Sequence, residues 1–329
     1  MAPDAGVAGR AIMRHMASRE WQFALKGPGG EPIDLDRLIA SHGFVELPPM
    51  ALDQSARTLR ITLAVPGGAR TVVVGPGRKG HGRVEVVGRP ASERQWTSIA
   101  ATLRRVLRLD EDLSSFYAAV ADDPDLAWVA SGAGRMIQSP TVFEDLVKTI
   151  CTTNCTWSAT QRMVGAIVEH LGRAAPGAPA TGAAGRAFPA PAVVAGAGER
   201  FFRDVAKAGY RGAYLIAIAR DVADGRLDVE ALADPELPDD EVEQRLLGLP
   251  GVGPYAAAHV MMTIGRYHRL ILDSWTRPTY AKLMGRTTIE DATIGRRFRR
   301  FGPYAGLAFW LLLTRAWVAD AAAGPPPAG

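Results

Sequence analysis

The chain runs to 329 residues, long enough for two domains or one large one with a full hydrophobic core. Its 47% hydrophobic and 22% charged residues are those of an ordinary soluble globular protein, and its net charge of +4 suits a polyanionic partner without requiring one. Two cysteines, Cys151 and Cys155, with no Cys/His cluster elsewhere, exclude a four-thiolate zinc or iron–sulfur centre.

Those cysteines read as buried reduced thiols, which suggests a reducing cytoplasm. The opening "MAPDAGVAGRAIMRHMASRE" lacks the apolar core of a signal peptide. No stretch approaches the ~20 apolar residues of a membrane span, so none is expected.

Residues 1–19 read as a flexible tail, and 20–112 as a small α+β domain. From Trp21 to Gly88 the chain carries β signals. "TLRITLAV" and "RTVVVG" are β-branched runs joined through Pro66, Gly67 and Gly68 as a hairpin, and "GRVEVVG" reads as a third strand. "SERQWTSIAATLRRVLRL" follows as an amphipathic helix, with Trp96, Ile99, Leu103, Val106 and Leu107 on one face. Strands followed by a packed helix make an α+β unit.

From Leu113 to about residue 320 the pattern is helical. "DEDLSSFYAAVA", "FEDLVKTICTTN", "SATQRMVGAIVEHLG", "RDVAKAGYRGAYLIAIARDVADG", "DDEVEQRLLGL", "PYAAAHVMMTIG" and "GPYAGLAFWLLLTRAWVA" are read as helices. Residues 173–198, rich in Ala, Pro and Gly, read as a flexible surface connection between helices, and 321–329 as a disordered tail. The runs "GPGRKGHGR" and "GRRFRRFG" read as solvated basic faces, with phosphate contacts outside the main site left open.

One short stretch carries more information. "DDEVEQRLLGLPGVGPYAAAHVMM" is a helix, a very short turn and a second helix. Gly251 and Gly253 allow backbone angles closed to residues with Cβ and let another backbone approach. Pro254 suits the first helical position, where a missing N–H does no harm. The N–H groups of such a helix start face outward, ready for a phosphate oxygen, and grip DNA without reading its sequence.

These residues resemble the helix-hairpin-helix DNA glycosylases of base-excision repair. The matching segments are Leu249–Gly253 for the hairpin, "LILDSWTR" for the catalytic aspartate, "FEDLVKTICTTNCTWSATQRMVGAIVEHLG" for helix, wedge and helix, and "AGYRGAYLIAIAR" for a helix shared by the 8-oxoguanine and alkyl-base branches. The likeness covers Leu113 to Trp317 and implies an α+β protein: a small N-terminal antiparallel sheet domain with helices, then a mostly α-helical region of two lobes. Two departures sharpen it. No cysteines follow the catalytic segment, so no iron–sulfur cluster is implied. Two residues after the second hairpin glycine, where lyase members place lysine, stands Tyr255.

The resemblance therefore implies a monofunctional glycosylase that flips a damaged base from double-stranded DNA, cuts its bond to the sugar and leaves an abasic site. Alkylated purines are the first expectation; 8-oxoguanine, a deaminated base, or a silent DNA-binding module stay open, as does a lyase using Lys148 or Lys207. Asp273, twenty residues after Gly253, becomes the catalytic carboxylate, and it also suits an N-cap. Tyr255, His259 and Trp275 are expected to line the base pocket; Phe309 or Trp310 offer further stacking surfaces, but at helical spacing they read rather as core. Asn154 is expected to fill the hole in the stack. Gly251, Val252, Gly253 and Arg277 are expected on the DNA backbone. Carbonyls of Leu247, Leu249 and Val252 are expected to hold a monovalent cation, with no other cofactor required. A monomer in the cytoplasm, nucleoid-associated in a bacterium, completes the expectation.

Overall fold

The β-branched runs pair as the alternation predicts. A computed structural model describes residues 20–319, so the tails expected at 1–19 and 321–329 lie outside the described residues. Five strands, β1 (Glu20–Ala24), β2 (Met50–Asp53), β3 (Thr58–Val65), β4 (Gly68–Pro76) and β5 (His81–Val86), form one antiparallel sheet in the order β1-β5-β4-β3-β2. Helix α1 (Leu35–Ile39) lies between β1 and β2, and α2 (Glu93–Val106) follows β5. The β3–β4 hairpin closes through Pro66 and Gly67, whose φ of +80° is the left-handed angle such a turn favours.

Register then sorts the side chains. Ile61 opposes Val72, and Val74 lies between Leu59 and Val84, so these residues share one buried face. That face packs on the predicted stripe of α2: Trp96, Ile99, Leu103, Val106 and the following Leu107 all belong to the sheet's core. A capping box between Ser92 and Gln95 starts α2.

Ten longer helices follow: α3 (Ser114–Val120), α4 (Val142–Thr152), α5 (Trp157–Leu171), α6 (Pro191–Gly196), α7 (Arg211–Ala223), α8 (Asp239–Leu247), α9 (Pro254–Thr263), α10 (Thr276–Leu283), α11 (Asp291–Phe298) and α12 (Ala305–Ala319). They bury two separate cores, as a two-lobed helical region should. One gathers α4, α5, α7 and α8; the other gathers α3, α11 and α12. Helix α9 belongs to both. Its Ala256, Ala257, Val260 and Met261 face the first core, Ala258 and Met262 the second, and Tyr255 touches each.

Two segments differ from expectation. "RDVAKAGYRGAYLIAIARDVADG" is not one helix. A π turn over Phe201–Val205 ends where Lys207 and Gly209 take φ of +55° and +58°, and the N–H groups of Ala206 and Ala208 fold back on the carbonyls of Phe201 and Phe202. Only then does α7 begin. Residues 173–198 are held down where a flexible connection was expected. Ala187 N–H donates to Arg173 O at 2.9 Å and Ala175 N–H to Gly185 O at 2.8 Å, while Ala175 and Ala187 pack on Ala69 of β4. The same segment supplies α6.

Candidate active site and nucleic-acid interface

The turn between α8 and α9 is tight. Leu249 N–H reaches Leu246 O at 3.0 Å, and Val252 N–H reaches Leu249 O at 3.2 Å. Gly251 sits at φ +79°, and a Cβ there would meet the Tyr214 ring of α7 at 2.5 Å. Gly253 corrects the expectation that both glycines need special angles: its φ of −95° and ψ of −176° suit any residue. What is particular there is space. A Cβ on Gly253 would meet nothing within 4 Å, so the backbone lies open to an approaching partner. Val252 is buried and anchors the turn, Leu247 is exposed, and Pro254 takes the first position of α9 as predicted. Among the described hydrogen bonds, the Leu249 carbonyl holds Val252 N–H, whereas none engages the carbonyls of Leu247 or Val252.

Asp273 lies half-buried just before α10. Its Oδ1 accepts the N–H groups of Trp275 at 2.8 Å and Thr276 at 2.6 Å, and the Thr276 hydroxyl accepts Asp273 N–H at 2.8 Å. The reciprocal cap orients the carboxylate and leaves Oδ2 outside it. Arg277, one turn on, is exposed and engaged in a two-point pair with Asp291 at 2.8 and 2.9 Å. Its guanidinium meets a phosphate only by sharing or leaving that partner.

Around Asp273 gathers a cluster of rings. Tyr255 and His259, one turn apart on α9, stand with centroids 5.5 Å apart. His259 stacks on Phe44 at 5.3 Å and meets His42 edge-on at 4.7 Å. His42 stacks on Trp310 of α12 at 5.5 Å, and Trp310 meets Trp275 at 5.9 Å. Trp317 joins Trp275 at 5.4 Å. Burial pushes the Tyr255 hydroxyl up to about 12, with the Asp273 charge acting the same way. Burial lowers His259 to about 4, against the opposing pull of Asp273. His42 is held well below its ordinary value chiefly by burial, with the Lys148 charge acting the same way. Both imidazoles are therefore neutral at physiological pH.

Tyr255 ties this cluster to the end of α4: its hydroxyl lies 3.1 Å from Thr152 Oγ1. Two residues on, Asn154 stands exposed at φ +47°. Its Nδ2 donates to the Tyr210 hydroxyl at 3.3 Å, and Tyr210 is itself 53% exposed. Arg211 braces the turn from beneath, donating to the carbonyls of Thr153 and Asn154 and lying 4.7 Å from the Tyr210 ring.

Several expectations need adjustment. Cys151 is buried, its thiol pushed up to about 12 by burial, but Cys155 is exposed on the Asn154 turn. Lys148, considered as a sugar-attacking amine, is 0% exposed and holds Glu144 at 2.7 Å. Lys207 is exposed on the loop before α7. The run "GRRFRRFG" is partly neutralised, with Arg297 on Asp125 and Arg300 on Asp123. Asp240, Glu243 and His268 draw within 4.8 Å of one another, but Arg269 already bridges the two carboxylates.

No family model and no curated protein sequence matches the chain. Solved structures do. A 3-methyladenine DNA glycosylase from Archaeoglobus fulgidus superposes with a TM-score of 0.68 at 20% identity, over 89% of this chain and 98% of that one. MBOgg1 in complex with a low-affinity DNA ligand gives 0.69 at 16% identity, over 92% and 96%. The Clostridium acetobutylicum 8-oxoguanine glycosylase/lyase, in complex with double-stranded DNA, gives 0.66 at 19% identity, over 87% and 92%.

The chain has the helix-hairpin-helix glycosylase fold. Coverage near the full length of each neighbour means that the sheet domain, both helical lobes and the hairpin between them belong to that likeness.

Within this glycosylase fold the structure brings Asp273, Tyr255, His259 and Trp275 together, and it places Asn154 at the tip of a neighbouring turn. It adds rings that the sequence reading did not put forward for the pocket. His42 and Phe44 come from the far end of the chain, and no local signal points to them. Trp310 is buried, as a core residue should be, yet it faces the cluster. Tyr210 had a signal, an aromatic within "AGYRGAYL", but only its exposure beside Asn154 separates it from a core tyrosine.

Proposed function

We propose that the chain is a monofunctional DNA glycosylase that turns a damaged base out of duplex DNA and hydrolyses its bond to the sugar. The observation that carries this is the setting of Asp273. Its carboxylate is fixed by the start of α10, faces a ring cluster, and follows a turn whose Gly253 backbone lies open. As the base–sugar bond breaks, its electron pair leaves with the base and positive charge grows on the sugar. A fixed carboxylate beside that sugar stabilises the charge and orients the water that adds to it. The fold likeness supports this reading, and the complex of the Clostridium protein supports double-stranded DNA as the partner.

The finer features follow from the residues. A Schiff base with the sugar needs an amine, and Tyr255 offers none at the hairpin position; Lys148 is enclosed. The electron-rich faces of Tyr255, Trp275 and Trp310, with two neutral imidazoles and one carboxylate, suit the electron-poor ring of an alkylated purine. Asn154, exposed on its turn with Tyr210 beside it, suits the part of a side chain that fills the gap left by the flipped base. The turn offers its backbone to a phosphate, and the Leu247, Leu249 and Val252 carbonyls suit a monovalent cation there. We read the protein as a monomer of the compartment that holds DNA.

The test is base release from duplexes that carry single lesions, with alkali then used to reveal abasic sites. Wild type should release a base, and Asp273→Asn should fall at least about 100-fold. A covalent adduct trapped by borohydride would overturn the monofunctional reading. No release from any lesion would overturn the enzyme reading itself.

A further inference from the structure

His259 sits in the middle of the ring cluster, only 6% exposed, with both Nδ1 and Nε2 shut off from solvent and no hydrogen bond to either. A neutral imidazole carries one N–H donor and one lone pair. Burying both without partners costs free energy that an apolar side chain of similar volume avoids. Packing gives no account of that cost. Phe44, His42, Tyr255 and Trp310 surround the ring through their faces and edges, contacts that a leucine would also make. Asp273 acts on the ring through space, not through a hydrogen bond.

Resting on the glycosylase reading above, we infer that a ring nitrogen of His259 is the hydrogen-bonding contact for the extruded base, and that through it the site selects among flat bases by the donor or acceptor each one presents there. Stacking faces hold any flat base alike; a directional contact tells one edge from another. The chemical class is the purine lesion of the reading above, presenting a ring nitrogen, an exocyclic amino group or a carbonyl to that histidine nitrogen. The rings that seal His259 come from three separate elements: the turn carrying His42 and Phe44, α9, and α12.

The test uses the full chain and duplexes that each carry one lesion: 3-methyladenine, hypoxanthine or 8-oxoguanine. Single-turnover base release and Tm are measured for wild type, His259→Leu and His259→Gln. Leu should be at least as heat-stable as wild type, lose about tenfold or more in rate on the favoured lesion, and compress the rate ratios between lesions toward one. Gln, which keeps a donor and an acceptor, should recover part of the lost rate. Rate ratios in the Leu variant within about twofold of wild type overturn the inference and leave the glycosylase reading standing. So does a Leu variant that fails to fold or melts well below wild type, because packing then explains the histidine. A Gln variant no better than Leu counts against it equally. Should wild type release none of the three bases, the glycosylase reading falls and this inference falls with it.

Discussion

Asp273 divides its work between two oxygens. Because Oδ1 caps α10 and asparagine caps nearly as well, Asp273→Asn should leave Tm within a few degrees of wild type while base release is lost. A large drop in Tm would show that the residue's main part is structural. His259 gives a second residue-scale prediction, one of sign. Its ordinary value is 6.5 and burial holds it at about 4 in the fold. Between those values the unfolded chain takes up a proton that the folded ring refuses, so stability falls as pH drops through that window. Below about 4 both states hold the proton and the loss stops growing. At pH 5 this ring should have cost the fold about 2 kcal/mol relative to pH 7. Urea unfolding at the two pH values should therefore show wild type losing more stability than His259→Gln. Asp145, which burial pushes up to about 7, tilts stability the opposite way, but it does so in both proteins and cancels in the difference. Equal losses would mean that the ring protonates in the folded state.

The α8–α9 hairpin separates two uses of glycine at the scale of an element. Gly251 is needed by the fold: its left-handed φ and the Tyr214 ring at 2.5 Å leave no room for a Cβ. Gly251→Ala should cost about 1–3 kcal/mol in urea unfolding. Gly253 is free of both constraints, so Gly253→Ala should change stability by no more than about 0.5 kcal/mol. The methyl it adds points into open space, where a phosphate would approach. Affinity for undamaged duplexes, read by fluorescence anisotropy, should then weaken alike for all sequences. Wild-type affinity in Gly253→Ala would remove the hairpin from the DNA interface. Elements with strong periodicity were legible from sequence: the α2 stripe, the β3–β4 hairpin and the small-residue α9 all form where their patterns place them. The break before α7 was not, because Ala206, Lys207 and Ala208 are good helix formers and Gly209 alone marks the stop, while the close seat of Phe202 on Gly212, where a Cβ would come within 2.6 Å of the Phe202 side chain, is a contact of the packed chain.

At the scale of the molecule, the sheet domain and the helical lobes are joined through a buried charge. Arg135, between α3 and α4, pairs with Glu31, which follows β1, and both side chains are almost fully enclosed. Glu31 also accepts Leu113 N–H at 3.1 Å, and Arg135 donates to Arg108 O at 2.6 Å. Removing one partner leaves the other charge buried and alone, so Glu31→Gln should lower stability by about 3 kcal/mol, measured by urea unfolding. A change below about 1 kcal/mol would mean that water reaches Arg135. This tie matters to the site because it fixes the domain that supplies His42 and Phe44 against the lobes that supply Tyr255, His259 and Trp310.

The sequence by itself determined what is local or close in the chain. The turn chemistry of "LPGVG", the cap that holds Asp273, and the one-turn spacing of Tyr255 and His259 all follow from backbone angles and helical pitch, which neighbouring residues set. Only the tertiary structure decided what faces those residues. His42 and Trp310 stand 268 positions apart and stack because two domains close on α9. The neutral state of His259 and the engagement of Arg277 with Asp291 depend on solvent exclusion and on charges brought in from distant segments. Spacing along a chain does not encode these, because desolvation and pairing are properties of the packed surroundings.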